Sequence, residues 1–225
     1  MGLFLMQKQF LMISDNLKLV NSRIESIQSD QDVQLIAVSK TRSVLEIQEA
    51  FDAGQIHFGE NYLQESLEKV NYFKDSGLVW HFIGPIQSNK TALISENFDW
   101  VHSVDRFKIA KRLSDQRNPN LGKLNILVQV NIDKEKTKSG VFIDKVDEIV
   151  SEIISLPYIC LRGFMCIPKA ENSSDSFSKM KDLISNYPSL DTLSMGMSAD
   201  LEVAIKNGAN LVRVGTDIFG QRSYN

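Results

Sequence analysis

The 225 residues are enough for one domain or two small ones, and a single domain of this length buries enough surface to fold without disulfides or metals. Apolar residues make up 43% and charged residues 24%, which excludes a disordered or fibrous chain, and a net charge of −3 offers no general attraction to nucleic acid or to an anionic membrane. The two cysteines, Cys160 and Cys166, form no CxxC motif or Cys/His cluster, so no metal site is expected and a reducing cytoplasm is the simplest location.

The opening MGLFLMQKQFLMI is apolar but broken by Gln7, Lys8 and Gln9, with no basic segment or small-residue cleavage site framing it. Nowhere do 18 apolar residues follow one another, so neither a signal peptide nor a membrane span is expected. Leu3, Met6, Phe10, Ile13, Leu17, Val20, Ile24 and Ile27 recur at steps of three and four. That stripe predicts a leading helix within residues 1–30, roughly 37 Å long, packed along a larger body.

Beyond residue 30 short apolar runs alternate with amphipathic patterns. The spacing predicts strands at 33–39, 56–58, 79–83, 99–101, 124–131, 158–164, 191–194 and 211–214. Helical patterns lie between them, for example Val44, Ile47 and Phe51 before a capping Gly54, and Val146, Ile149, Val150 and Ile153. Eight strands interleaved with helices argue for parallel βαβ units, and eight is the number that closes a (β/α)8 TIM barrel. A doubly wound open sheet is the alternative. No linker or low-complexity segment divides the chain, so residues 1–225 are expected to form a single barrel domain.

In such a barrel the chemistry collects where strands run out into the following loops. Those positions hold Lys40 after strand one, Asn61 after strand two, His102 after strand four, Met165 after strand six, Met197 and Ser198 after strand seven, and Gly215 and Thr216 after strand eight. Lys40 follows the apolar run LIAV, which points its amine at the barrel mouth, and a neutral lysine amine forms an imine with a carbonyl compound. Phosphates bind between the seventh and eighth loops of many barrels. Here SMGMSADLEVAI and RVGTDIFG offer glycines for close approach, the Ser198 and Thr216 hydroxyls and free backbone N–H groups. The combination suggests a phosphorylated carbonyl ligand, either the sugar phosphate of a class I aldolase or pyridoxal 5′-phosphate (PLP). Arg213 shares a strand face with Gly215 and would lie deeper than the phosphate, where a pyridine ring would sit, unless it forms only a salt bridge at the mouth. His57, His81 and His102 fit no metal motif and are expected to be satisfied structural histidines. The DKEKTKSG segment at 133–140 reads as a flexible, solvated basic loop.

AVSKTR, HFGENYLQE, WHFIGPIQSNK, HSVDR, LRGFMCIP, LSMGMSADLEVAI and NLVRVGTDIFGQR together resemble, in order and over almost the whole chain, the motifs of the pyridoxal phosphate homeostasis protein family. The resemblance implies a fold type III PLP barrel, similar to the N-terminal domain of alanine racemase. It implies that Lys40 carries PLP covalently as a Schiff base, that Ser198 and the backbone of Gly215 and Thr216 hold the phosphate, and that Arg213 faces the pyridine nitrogen. Asn61 and Met197 would line the pocket. It further implies a cytoplasmic monomer that carries or buffers PLP for PLP-dependent apoenzymes, without substantial turnover, since no second, β-rich domain is expected after the eighth strand. The other readings are a PLP-dependent racemase or decarboxylase of small amino acids, and the class I aldolase.

Overall fold

The computed structural model describes residues 12–27, 32–135 and 137–221. Its centre is a closed, parallel eight-stranded barrel in sequence order, so the last strand pairs with the first. The strands are β1 (Gln34–Val38), β2 (His57–Glu60), β3 (Val79–Phe82), β4 (Trp100–Val104), β5 (Leu124–Val130), β6 (Ile159–Cys166), β7 (Thr192–Ser194) and β8 (Leu211–Val214). All eight predicted strands are present, and 211–214 has the predicted bounds. Three run further than expected, and β6 reaches Cys166, two residues past its predicted end. β2 continues through Gly59-Glu60 and β4 through His102-Ser103-Val104, because parallel pairing with a neighbouring strand overrides the turn-like look of those residues.

The helices between strands are α2 (Val44–Asp52), α3 (Leu63–Tyr72), α4 (Thr91–Asn97), α5 (Phe107–Gln116), α6 (Val146–Ile153), α7 (Ser173–Ser185) and α8 (Leu201–Lys206), and α9 (Thr216–Phe219) follows β8. Their apolar stripes and the outward strand residues form the main core, which includes Ile47, Phe58, Ile94, Leu113, Ile126, Phe164 and Phe177. α2 shows why the chain starts a helix where it does. Ser43 and Glu46 satisfy each other's backbone N–H groups in a capping box.

The leading helix α1 covers Ile13–Ser26, with Ile27 already extended, so it stops short of the predicted residue 30. Its buried Leu17 and Val20, with Ile13 and Ile24, pack on the barrel body against α2, α8 and α9. The rest of the predicted stripe, Leu3 to Phe10, lies outside the described residues. No helix among the described residues is long and apolar enough to cross a membrane.

Inside the barrel a small cluster of Ile36, Leu127, Met165 and Leu211 packs with Trp100, so Met165 is a core residue within β6 rather than a loop residue at the mouth. At one point a strand needs glycine. The β5–β6 register shifts between Ile126 and Leu127, and opposite it Gly163 has φ +153, where a Cβ would stand 2.0 Å from the Thr192 carbonyl oxygen.

Candidate functional site

Closure of β8 onto β1 and β7 brings most of the predicted residues to one side of the mouth. Ile36 is paired with Arg213 and Ala37 with Val214, and Ser194 is paired with Leu211. Lys40 stands two residues past β1 and Gly215 one past β8. A Cβ at Gly215 would come within 3.2 Å of the Val38 carbonyl oxygen, so the two strand ends run side by side. Ser198 follows β7, and its loop is tied in by Arg213 N–H donating to the Gly196 carbonyl at 3.0 Å. α9 begins at Thr216 with no side chain capping its N-terminal N–H groups, which leaves donors for an anion. Asn61 lies across the mouth after β2, lining a cavity of ≈ 300 Å³ with Ile83, Pro85, Asn131 and Lys138. Met197 is 40% exposed.

Two networks hold this side of the mouth. Behind Lys40, the buried Lys69 ammonium donates to the Ser39 carbonyl at 2.8 Å and to Glu60 at 2.9 Å, and Ser39 Oγ donates to Glu60 at 2.6 Å. Glu65 accepts from Lys69 and, at 2.6 Å, from the N–H of Thr41, which has φ +63. The corner that presents Lys40 is thus fixed by a buried ion-pair network in a backbone conformation that a β-branched residue rarely adopts. Burial pushes the Glu60 carboxyl up, against the pull of Lys69. The second network comes from α1. Arg23 donates to Glu202 at 2.8 Å, to Asp217 at 2.5 Å and to the Ser198 carbonyl at 3.2 Å, and so clamps the seventh and eighth loops together.

Arg213 is 5% exposed and forms no salt bridge among the described residues. Its guanidinium donates to Ser194 Oγ at 2.6 Å and to the Cys166 carbonyl at 3.0 Å. Ser194 continues into a chain of imidazoles, through His102 and His81 to His57, with links of 2.9, 2.9 and 3.0 Å. His102 and His81 therefore lie within β4 and β3 inside the barrel, and His102 is not at the mouth. They are satisfied histidines, as expected, but the sequence reading missed that they are satisfied by one another and lead to Arg213. The available signal was a histidine on each of three consecutive strands. Burial drives the pKa of His81 and of His102 well below the ordinary value, with Arg213 adding to the effect at His102. Burial also pushes the Cys166 thiol up to about 12, which makes it an inert packing group.

The basic loop is anchored rather than loose. Asn131 donates to the carbonyls of Glu135 and Lys138 and accepts from the Glu135 N–H, and Asp133 accepts from Lys169 N–H and Ser176 Oγ. Lys138 pairs with Glu135. Asn131 and the Glu135–Lys138 pair tie the loop back on itself, and Asp133 ties it to the segment after β6.

Residues 12–223 match the family model described as the alanine racemase N-terminal domain. The pyridoxal phosphate homeostasis protein of Escherichia coli K12 is 44% identical over 231 residues, covering 94% of this chain and 97% of that protein. The one from Pseudomonas aeruginosa is 48% identical over 222 residues, covering 94% and 96%. Among solved structures, PipY of Synechococcus elongatus PCC7942 with PLP bound has a TM-score of 0.81 at 34% identity, covering 92% of this chain and all of that one. Alanine racemase of Clostridium difficile 630 has a TM-score of 0.70 at 16% identity and is matched over 58% of its length, a likeness of fold alone. Fold, motifs and relatives agree over nearly the whole length: the chain belongs to the pyridoxal phosphate homeostasis protein family.

Proposed function

We propose that this protein binds PLP at the β7–β8–β1 side of the mouth, links it covalently through Lys40, and carries or buffers it in the cytoplasm for PLP-dependent apoenzymes, as a monomeric single-domain barrel without substantial turnover. The observation that carries this reading is the convergence of an amine, an anion-binding turn and a buried arginine on three adjacent strands. Lys40 leaves β1, the uncapped start of α9 follows Gly215 next to the end of β1, Ser198 stands in the β7 loop that is tied to β8, and Arg213 lies within β8. The donor set fits PLP: a lysine for the aldehyde, hydroxyl and backbone donors for the phosphate, and a cation for the pyridine nitrogen. Its relatives' name and the PLP-bound PipY structure support the same ligand.

PLP supplies an aldehyde and an electron-withdrawing ring. Arg213 decides how strongly that ring can work. A guanidinium only donates hydrogen bonds and opposes a second positive charge nearby, so it keeps the ring nitrogen unprotonated. A carboxylate there would hold the nitrogen's proton and favour carbanion chemistry. The arginine therefore suits a carrier that must not consume amino acids, and Asn61 and Met197 complete the pocket wall without supplying an acid or base.

Borohydride reduction of the PLP-loaded protein followed by peptide mapping should place the pyridoxyl group on Lys40, and Lys40→Ala should lose the yellow absorption. A label mainly on Lys90 or Lys138 overturns the assignment. A turnover number of about 1–10³ per second with an amino acid would favour the racemase or decarboxylase reading instead.

A further inference from the structure

The lumen of the barrel holds a polar column that binding of a phosphate and an aldehyde at the mouth does not by itself require. His57 opens β2, His81 is the third residue of β3 and His102 the third of β4, so the three rings climb the inside of the barrel on consecutive strands. His57 Nδ1 is 3.0 Å from His81 Nε2, His81 Nδ1 is 2.9 Å from His102 Nε2, and His102 Nδ1 is 2.9 Å from Ser194 Oγ. Ser194 Oγ is 2.6 Å from Arg213 Nη1. His81, His102 and Ser194 are fully buried. Among the described residues no carboxylate bonds to the column. Asp99 acts on His57 and Asp200 on Arg213 only through longer-range attraction. Four polar side chains and a buried cation stand where aliphatic side chains would pack at lower desolvation cost.

Among the bonds of the described residues, one direction gives every proton of the column an acceptor. A guanidinium only donates, so Ser194 Oγ accepts from Arg213, and the remaining acceptor within reach of the serine's own proton is His102 Nδ1. His102 must then carry its proton on Nε2 and donate it to His81 Nδ1. His81 likewise donates from Nε2 to His57 Nδ1. Each bond polarises the next in the same sense, which strengthens all of them and draws electron density toward the guanidinium.

We propose that His57, His81, His102 and Ser194 are positioning residues for the cofactor site: a one-way hydrogen-bond column, each imidazole protonated on Nε2, that fixes Arg213 as a charged donor and spreads its charge down to the base of the barrel. The column takes the place of the carboxylate that buried arginines ordinarily pair with. Among the described residues it gives the cation no neutralising anion, so the part of its charge not spread along the column remains available to whatever occupies the mouth. The inference rests on the reading that Arg213 faces the ring nitrogen of PLP.

Nitrogen-15 NMR of the histidine-labelled, cofactor-free protein near pH 7.5 tests the column without PLP. His81 and His102 should both be neutral and protonated on Nε2, and a proton on Nδ1 of either ring, or a charged ring, overturns the proposal. Ser194→Ala should mix the tautomers of His102, raise the Kd for PLP about tenfold and move the ring-nitrogen signal of bound PLP. Ser194→Thr, which keeps the hydroxyl, should restore all three. Unchanged His102 tautomer and PLP affinity in Ser194→Ala would equally refute it. Failure of the wild type to bind PLP would overturn the functional reading while leaving the tautomer result standing, so the two failures can be told apart.

Discussion

Acid should destabilise this protein between pH 7.5 and 5.0 through His81 and His102. Both rings are buried in the barrel, and desolvation holds their pKa well below 6.5 in the folded chain. An imidazole whose pKa is lowered by folding takes up its proton only on unfolding. Its contribution is complete above the unfolded value and is lost as pH falls below it. Two such rings make the unfolded chain bind two more protons, a slope of about 2.7 kcal/mol per pH unit once the pH is below about 6. Integrated from pH 7.5 to 5.0, with both rings neutral throughout in the folded state, the loss is about 4 kcal/mol, a large part of the roughly 5–15 kcal/mol that holds a folded protein together. His57, also lowered by burial, adds in the same direction. Glu60, raised by burial, opposes the trend because the folded chain binds its proton first, but it acts mainly toward the acid end of the range. Urea unfolding of the cofactor-free protein, followed by tryptophan fluorescence at pH 7.5, 6.5, 5.75 and 5.0, measures the slope. His102→Asn should reduce it by about half. A change below about 1 kcal/mol across the whole range would show that the rings are not neutral and enclosed in the folded protein, and would refute the reasoning.

Other perturbations have equally direct outcomes. Arg23→Met should remove the clamp between the seventh and eighth loops and leave Asp217 and Glu202 uncompensated beside the proposed phosphate position. Titrations should then show PLP affinity falling about tenfold, and pyridoxal, which lacks the phosphate, changing much less. Gly163→Ala should cost about 3 kcal/mol or more in urea unfolding, because a Cβ there would strike the Thr192 carbonyl in a conformation that other residues rarely adopt.

Eight strands alternating with helices, and the points at which polar residues follow them, are readable from the residues alone, because apolar runs and amphipathic stripes are local signals, whereas spacing leaves an open doubly wound sheet as the alternative to a closed barrel. Lys40, Ser198 and Gly215 were legible for the same reason, each standing at the end of a run. The remaining contacts depend on which distant segments barrel closure brings together. Whether Arg213 meets a carboxylate or a serine depends on which strands closure places beside β8, and the pairing of β8 with both β1 and β7 has no trace in local spacing. The stagger of strands around the barrel put His57, His81 and His102, 24 and 21 residues apart, within hydrogen-bond distance of each other. Arg23 reaches Glu202 and Asp217 across 179 and 194 residues of chain. Such contacts follow from how a closed sheet brings distant segments together, and no periodicity within one element encodes them.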